Sequence, residues 1–478
     1  MFRNKIILSL LAGVLLLSSC EEDVLDQQPV VSTIITESIN NVDDLRSYLH
    51  AGYTVLASSS ILGTDFPVFG DMNSDNTFVS STNSGYFLNF DRMNWGTNSA
   101  PLPMGDLYRA MIYNDFVINN SLEISEDEQS TVNAIVGEAH IMRGYILSLL
   151  VSLYASNPTS GEYQEYGIPM YFDYTVENFD NVYRDVAQPR STVAEVYTQA
   201  IFDLESGIEL MPNTNTDTKS FLTPTAANLL LSRIYLTIGD YEQAIHYADE
   251  VITNSPSSFA FMGASDVSSY WATNPNVADN QAETVWEIEY TATSNPGVNA
   301  LSNFYLSTGG YGSILFRQDF YASFEDSDKR KALFSTASVP ETDNPTGIWL
   351  RKYRSPQANT KVLRMSEAKL NKIEALYKLG QTGTALTELN AFAETRGLPP
   401  NYYNGSDLLT QILDERRKEF CGEGYRFFDL KRNNLGFTKT TNCNSSECTI
   451  QPNSRWMVIP MPRTELELNT NNTQHPLW

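Results

Sequence analysis

The chain has 478 residues and a formal net charge of −25 at pH 7, from 57 acidic and 32 basic residues. Phosphate backbones and anionic lipid surfaces repel a protein this acidic, so we expect neither nucleic-acid binding nor a basic membrane-binding patch. The length is sufficient for a large hydrophobic core and permits more than one domain.

The first nineteen residues are typical of an export signal. Two cations precede an apolar run at residues 6–17, which is shorter than the roughly 20 apolar residues that span a bilayer. Residues 17–20 read Leu-Ser-Ser-Cys, which resembles a bacterial lipobox. We expect removal of residues 1–19, lipid attached to Cys20, and a tether over residues 20–35. No later run has the unbroken apolar length to cross a membrane.

Helical spacing of apolar residues and capping residues predict a mainly helical chain. The predicted helices cover residues 42–57, 107–122, 132–154, 191–211, 223–238, 242–253, 366–379, 384–394 and 407–421. The stretch from Gly63 to Pro103 is rich in Asn, Ser and aromatic residues, and we interpret it as a long ordered loop. Alternation of polar and apolar residues over 283–290 predicts a short strand.

Two helix hairpins share one pattern. In the first, Gly239 makes the turn and Ala244 lies on the return helix, while Gly380 and Ala385 repeat the same offset in the second. Small residues let antiparallel helices approach closely, so both are tetratricopeptide-like hairpins. A long irregular region, residues 255–359, separates them, which predicts a helical scaffold with insertions rather than a plain repeat array.

Cysteine and histidine give little sign of a reactive or metal centre. Cys443 and Cys448 are close enough for a local disulfide in an oxidising compartment, with a free pair as the alternative. Their spacing is not that of a CxxC redox or zinc motif, and no histidine stands in a ligand pattern. We therefore expect no metal and no cofactor.

A dense charge cluster lies near the C-terminus, formed by Glu419, Glu423, Arg426, Asp429 and Arg432. Two of its carboxylates could be an acid–base pair for glycoside hydrolysis. The alternative is an internal Arg–carboxylate network that locks the last long helix to the scaffold. We favour the network, because adjacent carboxylates in a sequence say nothing about their spacing across a sugar.

The C-terminal part resembles the SusD/RagB family. Residues 414–432 read Asp-Glu-Arg-Arg-Lys-Glu-Phe-Cys-Gly-Glu-Gly-Tyr-Arg-Phe-Phe-Asp-Leu-Lys-Arg, and residues 459–466 read Ile-Pro-Met-Pro-Arg-Thr-Glu-Leu. At the chain end, His475 and Leu477 depart from the family's Gln-Asn-Pro-Gly, whereas Trp478 keeps its final aromatic residue. Residues 143–154, 223–252 and 367–380 also match family blocks, so the resemblance covers nearly the whole chain.

The resemblance implies an all-α fold of tetratricopeptide-like helix pairs, with long loop insertions and a few short strands. It implies one domain over residues 36–478, made of an N-terminal part (36–255), a loop-rich ligand-binding insertion (256–360) and a signature region (361–478). It also implies a cell-surface lipoprotein of the outer membrane of Bacteroidetes-type bacteria. Such proteins capture oligosaccharides and pass them to a SusC-like TonB-dependent transporter, and they are not enzymes.

Loop aromatics carry the predicted binding site. A flat ring stacks on the apolar face of a sugar, while amide and carboxylate groups bind the rim of hydroxyls. Trp286 and Trp349 have apolar neighbours and are predicted to be scaffold residues. The predicted ligand-binding set is Asp71, Asn73, Trp95, Tyr270, Trp271, Tyr305 and Tyr311.

Three other functions remain open at this point. Peptide capture predicts a deep cleft with backbone-pairing groups and little need for stacked tryptophan. A surface glycosidase requires Glu423 or Asp429 to act on the sugar. A helix-repeat adaptor without a small ligand leaves the aromatic loops unexplained.

Overall fold

The structure is a computed structural model that describes residues 39–120, 122, 124–172, 187–211, 219–272, 281–341, 343 and 345–478. The predicted signal segment, Cys20 and the tether lie outside the described residues. The proposed division into three parts stays a prediction.

Helices dominate the fold. They are α1 Val42–Leu56, α2 Asp65–Met72, α3 Leu88–Arg92, α4 Met104–Ile118, α5 Gln129–Tyr154, α6 Val193–Leu210, α7 Pro224–Ile238, α8 Tyr241–Asn254, α9 Val267–Ala272, α10 Leu301–Tyr305, α11 Gln318–Ala322, α12 Met365–Lys378, α13 Thr382–Glu394, α14 Leu408–Glu419, α15 Arg426–Arg432 and α16 Arg463–Leu468. A π-helical turn at Ser59–Gly63 links α1 to α2.

The strands are short and pair two by two, all antiparallel. The pairs are β1 Thr77–Val79 with β3 Ile314–Phe316, β2 Thr284–Ile288 with β6 Thr360–Arg364, β4 Phe334–Ser338 with β5 Thr346–Leu350, and β7 Phe437–Thr438 with β8 Thr449–Ile450. Within the described part of the chain no sheet exceeds two strands. The all-α fold predicted from the sequence is therefore confirmed.

Capping chemistry sets the helix starts. Thr223 accepts a hydrogen bond from the backbone N–H of Ala226, and Pro224 opens α7, as predicted. For α6 the predicted cap, Ser191, is wrong by one residue. Thr192 forms the capping box there: its hydroxyl accepts from the Glu195 backbone N–H, and the Glu195 carboxylate accepts from the Thr192 backbone N–H.

The long helices form a continuous layer in which α1 packs on α4, α4 on α5, α5 on α6, and α6 on α7. The two hairpins, α7–α8 and α12–α13, complete it, because α8 packs directly on α12. Gly239 and Gly380 make the two turns with φ of 88° and 78°. The hairpins are thus neighbours in space, although a long insertion separates them in sequence.

The stretch from Gly63 to Pro103 is not the loop that its composition predicted, since it contains α2, β1 and α3. Most of its aromatic residues are buried, and Phe69, Phe78 and Phe90 are all at most 3 % exposed, whereas Tyr86 is 38 % exposed. The predicted strand at 283–290 is confirmed as the shorter β2.

One described helix, α5, is long and apolar enough to cross a membrane by length and composition alone. Most of its apolar window is buried inside the protein, as expected for a core helix.

A buried network of charges joins the insertion to the C-terminal region. The Arg364 guanidinium donates to Glu283 at 2.7 Å, to Glu419 at 2.8 Å and to Glu423 at 2.7 Å. Arg396 donates to Glu419 at 2.9 Å, and Arg330 does so at 3.1 Å. The sequence interpretation of this cluster as an Arg–carboxylate network is confirmed.

Burial alone would raise the pKa of Glu419, but Arg396, Arg364 and Arg330 hold this pKa well below its usual range. Its carboxylate is therefore ionised at neutral pH and is shared among three cations. Removing one member of such a network leaves uncompensated charge in the interior.

We predict that Glu419→Gln lowers the free energy of unfolding by about 3–5 kcal/mol, because three buried guanidinium groups lose a shared partner. Urea denaturation measures this loss. The matched control is Glu467→Gln, since Glu467 pairs with Arg463 at 2.7 Å on the surface, where both side chains are mostly exposed. The control should change stability by about 0.5 kcal/mol or less; equal losses in the two variants would contradict a structural role for the network.

Candidate functional site

Trp95 does not offer a ring face to a ligand, because it is only 2 % exposed. Its ring lies 5.3 Å from that of Trp456 and 5.4 Å from that of Trp478. Its indole N–H donates to the Asn73 side chain at 3.2 Å. The prediction of Trp95 as a stacking residue is corrected by this burial: it belongs to a tryptophan cluster that fixes the C-terminus to the core.

Asp71 and Asn73 are also buried, each 0 % exposed. Asp71 accepts hydrogen bonds from the Gly422 backbone at 2.7 Å and from the Asn76 side chain at 2.5 Å. Burial raises its pKa to about 7. Both residues hold α2 against neighbouring elements, so the structure leaves neither one free to bind a sugar hydroxyl.

Three of the four aromatics predicted in the insertion are internal as well. The Tyr270 hydroxyl lies 2.7 Å from the Thr284 hydroxyl, and the Trp271 ring lies 4.6 Å from the Lys352 ammonium, above the buried charge network. Tyr305 is fully buried. These side chains support the fold, and Tyr311 is the one member of the predicted set that the structure exposes.

Tyr311 is 40 % exposed and forms an aromatic platform with Tyr86, which is 38 % exposed. Their ring centroids are 5.2 Å apart, and the planes are inclined by 36°. Phe304 lies beneath both rings, 5.2 Å from Tyr86 and 5.4 Å from Tyr311. Two accessible rings therefore rest on a buried third ring, which limits their motion.

The loop that presents Tyr311 is held by backbone contacts that only glycine permits. A Cβ on Gly310 would lie 2.5 Å from Cα of Asn303, and Gly312 has a φ of 57°. The Gly312 backbone N–H donates to Asn303, and its carbonyl accepts from the indole N–H of Trp349 at 2.9 Å. Trp349, predicted as a scaffold residue, thus positions the platform.

A pocket opens beside the platform, between the π-helical turn, α3 and α10. Asp65, the first residue of α2, lies half-buried in this pocket. The side-chain oxygen of Asn299 is buried and has no hydrogen-bond partner in the described structure. The lining residues are Ser59, Ser60, Asp65, Tyr86, Phe87, Asn89, Phe90, Pro101, Asn299 and Phe304. The pocket therefore combines aromatic rings with hydroxyl, amide and carboxylate groups.

Four segments form what we term the loop surface: residues 80–87, 297–312, 338–341 and 440–448. Glu341, between β4 and β5, accepts from the backbone N–H of Ser81 at 2.7 Å, which ties the third segment to the first.

The predicted disulfide between Cys443 and Cys448 is present and closes the tip of the last segment. Asn444, inside this disulfide loop, donates to Asp91 at 2.6 Å. The disulfide loop is thereby fixed to the end of α3, next to the pocket.

Sequence reasoning missed Tyr86 and Asp65. Tyr86 is one of many aromatic residues in a polar stretch, and the sequence of that stretch does not show which rings point outward. The exposure of Tyr86 could have been inferred from the preceding Ser-Thr-Asn-Ser-Gly run, residues 81–85, which is typical of an exposed turn. Asp65 had no such signal, because its position in the pocket depends on α10 and α3 folding beside it.

Two family models cover the chain. One, described as starch-binding and associating with the outer membrane, matches residues 23–236. The other, the SusD family, matches residues 232–478, which is more than half of the chain.

The relatives include a SusD-like protein, P2, of Formosa agariphila, with 24 % identity over 74 % of this chain and 75 % of the relative. The solved structure of a SusD superfamily protein from Bacteroides vulgatus has a TM-score of 0.81 and 25 % identity, covering 92 % of this chain and 99 % of its own. The structure of a SusD superfamily protein from Bacteroides thetaiotaomicron has a TM-score of 0.80 and 22 % identity, and the match covers 92 % of this chain and 100 % of that protein's chain.

We predict that Trp95→Ala lowers the free energy of unfolding by about 3–5 kcal/mol, as expected for a large side chain lost from a core. In contrast, Tyr86→Ala and Tyr311→Ala should each change it by about 1 kcal/mol or less, because these rings are partly solvated. Chemical denaturation of the three variants separates the two roles. A small loss for Trp95→Ala would show that this ring is not part of the core.

Proposed function

The chain belongs to the SusD family, and we propose that it is a carbohydrate-binding protein whose ligand lies on the Tyr86–Tyr311 platform and in the adjoining pocket. The observation that carries this proposal is the pairing of two exposed, supported rings with a pocket of hydroxyl, amide and carboxylate groups. Sugars present apolar C–H faces and a rim of hydroxyls, which these two kinds of group complement.

The binding mode follows from the openness of this surface. An exposed platform covers one face of a sugar and leaves the other in water, so each site contributes modest affinity. Asn89 and Asn299 stand at the pocket wall, where amide groups both donate to and accept from hydroxyls. A polymer that occupies several subsites then binds more strongly than a single sugar.

We further propose that the protein is held at the outer-membrane surface by lipid on Cys20 and passes its ligand to a TonB-dependent transporter. The support is the lipobox-like sequence and the family described as associating with the outer membrane. The outer helices α6, α8 and α13 contain no Lys or Arg in their sequences. The side formed by these helices, where Lys369 and Lys372 of α12 pair with Glu388 and Asp249, is the face we assign to the transporter.

Observations at the C-terminal charge cluster weigh against the hydrolase alternative. Glu423 accepts from Lys352 at 2.6 Å and from Arg364, while Asp429 accepts from Arg416 and Arg432. Both carboxylates are at most 5 % exposed, so they are not placed to act on a sugar.

Affinity electrophoresis against a panel of polysaccharides tests the binding proposal, using protein that begins after Cys20. We expect at least one polysaccharide to retard the protein, and Tyr86→Ala or Tyr311→Ala to weaken this retardation about tenfold or more, since stacked rings contribute 1–3 kcal/mol in comparable contacts.

Phe202→Ala is the matched control, because Phe202 is 57 % exposed on α6, on the helical side. The control should bind like the unmodified chain. No retardation by any polysaccharide, or equal losses in all three variants, would contradict the proposed site.

A further inference from the structure

Asp65 differs from Asp71 and Asp91, the other acidic groups near the platform, in how its carboxylate is bonded. Asp71 accepts from Gly422 and Asn76, and Asp91 accepts from Asn444. By contrast, no described side chain forms a hydrogen bond or an ion pair with the Asp65 carboxylate. Burial raises the pKa of Asp65 to about 7, with no neighbouring charge to offset it.

The pocket around Asp65 contains no basic side chain. Among the described residues that line it there is no Lys, Arg or His. Arg92 follows the pocket-lining residues Asn89 and Phe90 on α3, but it is exposed and does not line the pocket itself.

The same holds for the whole loop surface. The sequences of its four segments, 80–87, 297–312, 338–341 and 440–448, include none of the chain's 32 Lys and Arg residues. They do include Glu341 and Glu447. Charged side chains within these four segments are therefore all acidic.

The basic groups that lie beneath this surface are buried, and two nitrogens of the Arg317 guanidinium have no hydrogen-bond partner among the described residues. Lys439 is 2 % exposed and donates to the backbone carbonyl of Asp91 at 2.9 Å. Arg317 is fully buried and donates to the carbonyl of Thr77 at 3.0 Å. Because both side chains are buried, neither is exposed to a carboxylate or sulfate of a ligand on the platform.

Proteins that recognise carboxylate or sulfate groups supply Arg, Lys or convergent N–H donors to replace the lost hydration. Above the raised pKa of Asp65 its carboxyl is ionised, and a second anion placed beside it would face like charge in a partly desolvated pocket, which opposes binding. A pair of sugar hydroxyls, in contrast, donates to both oxygens of one carboxylate.

From this geometry we propose that Asp65 selects for charge: the pocket takes uncharged sugar residues, whose hydroxyls donate to Asp65, and excludes uronic-acid and sulfated glycans. This inference rests on the proposed function of the platform and adds to it the class of glycan.

The test compares one polysaccharide in three forms. The first is the neutral polymer that retards the protein in the panel, the second is the same polymer with its C6 hydroxyls oxidised to carboxylates, and the third is the methyl ester of the oxidised polymer. Apparent affinities are measured by affinity electrophoresis at low salt and at about pH 9, where the Asp65 carboxyl is ionised, for the unmodified chain and for Asp65→Asn.

We expect the unmodified chain to bind the oxidised polymer about tenfold more weakly than the methyl ester, because the two differ only in charge. Asp65→Asn should bind the neutral polymer about tenfold more weakly, since an amide has one acceptor oxygen and presents an NH2 donor where the carboxylate has its second oxygen. The ratio between methyl ester and oxidised polymer should fall toward one in this variant.

Asp326→Asn is the control for net charge alone, because Asp326 is 99 % exposed and pairs with Lys331 away from the pocket. It should leave the ratio unchanged. Denaturation midpoints of both variants show whether they fold.

The outcomes separate the two proposals. If the oxidised polymer binds as well as its ester, or if Asp65→Asn leaves the ratio as it was, charge selection by Asp65 is overturned while carbohydrate binding stands. If no polysaccharide binds at all, the platform proposal fails, and the selectivity inferred from it fails with it.

Discussion

The fold depends on satisfying the buried guanidinium group of Arg364. A charge removed from water is tolerated only when it is balanced and its N–H groups are bonded. Arg364 meets that condition when Glu283, Glu419 and Glu423 come together from distant parts of the chain. Arg396 then completes the bonding of Glu419. Folding therefore requires the insertion to dock onto the C-terminal helices. Hydrophobic contact alone would define the position of the insertion less precisely.

That anchored insertion provides the base for the loop surface. The buried strand β3 follows directly after the Tyr311 loop, and β5 contains Trp349, whose indole N–H holds Gly312 in place. Phe304 fixes the two exposed rings from below. Binding groups supported in this way lose little freedom when a ligand arrives, so the platform is preorganised even though it lies on loops. Variation in the loops can then change the ligand without disturbing the core.

The helical scaffold could be predicted from the sequence because its signals are local. Thr223 followed by Pro224 fixes a helix start, and Gly239 fixes a turn, whatever surrounds them. The site could not be predicted in the same way. Whether an aromatic ring stacks on a sugar or packs in the core depends on residues far away in the sequence, and Trp95 is buried because Trp456 and Trp478 come to lie against it. Composition identified aromatic loops as important, but not which rings remain accessible.

The most direct test of the account is a crystal structure of the protein with an oligosaccharide of the polymer that it binds. We predict a sugar ring against Tyr86 and Tyr311, at the mouth of the pocket that Asp65 and Asn299 line, with a hydroxyl within hydrogen-bond distance of the Asp65 carboxylate. A sugar bound elsewhere, for example on the helical side around Phe202, with the platform left in water, would contradict the assignment of the binding site.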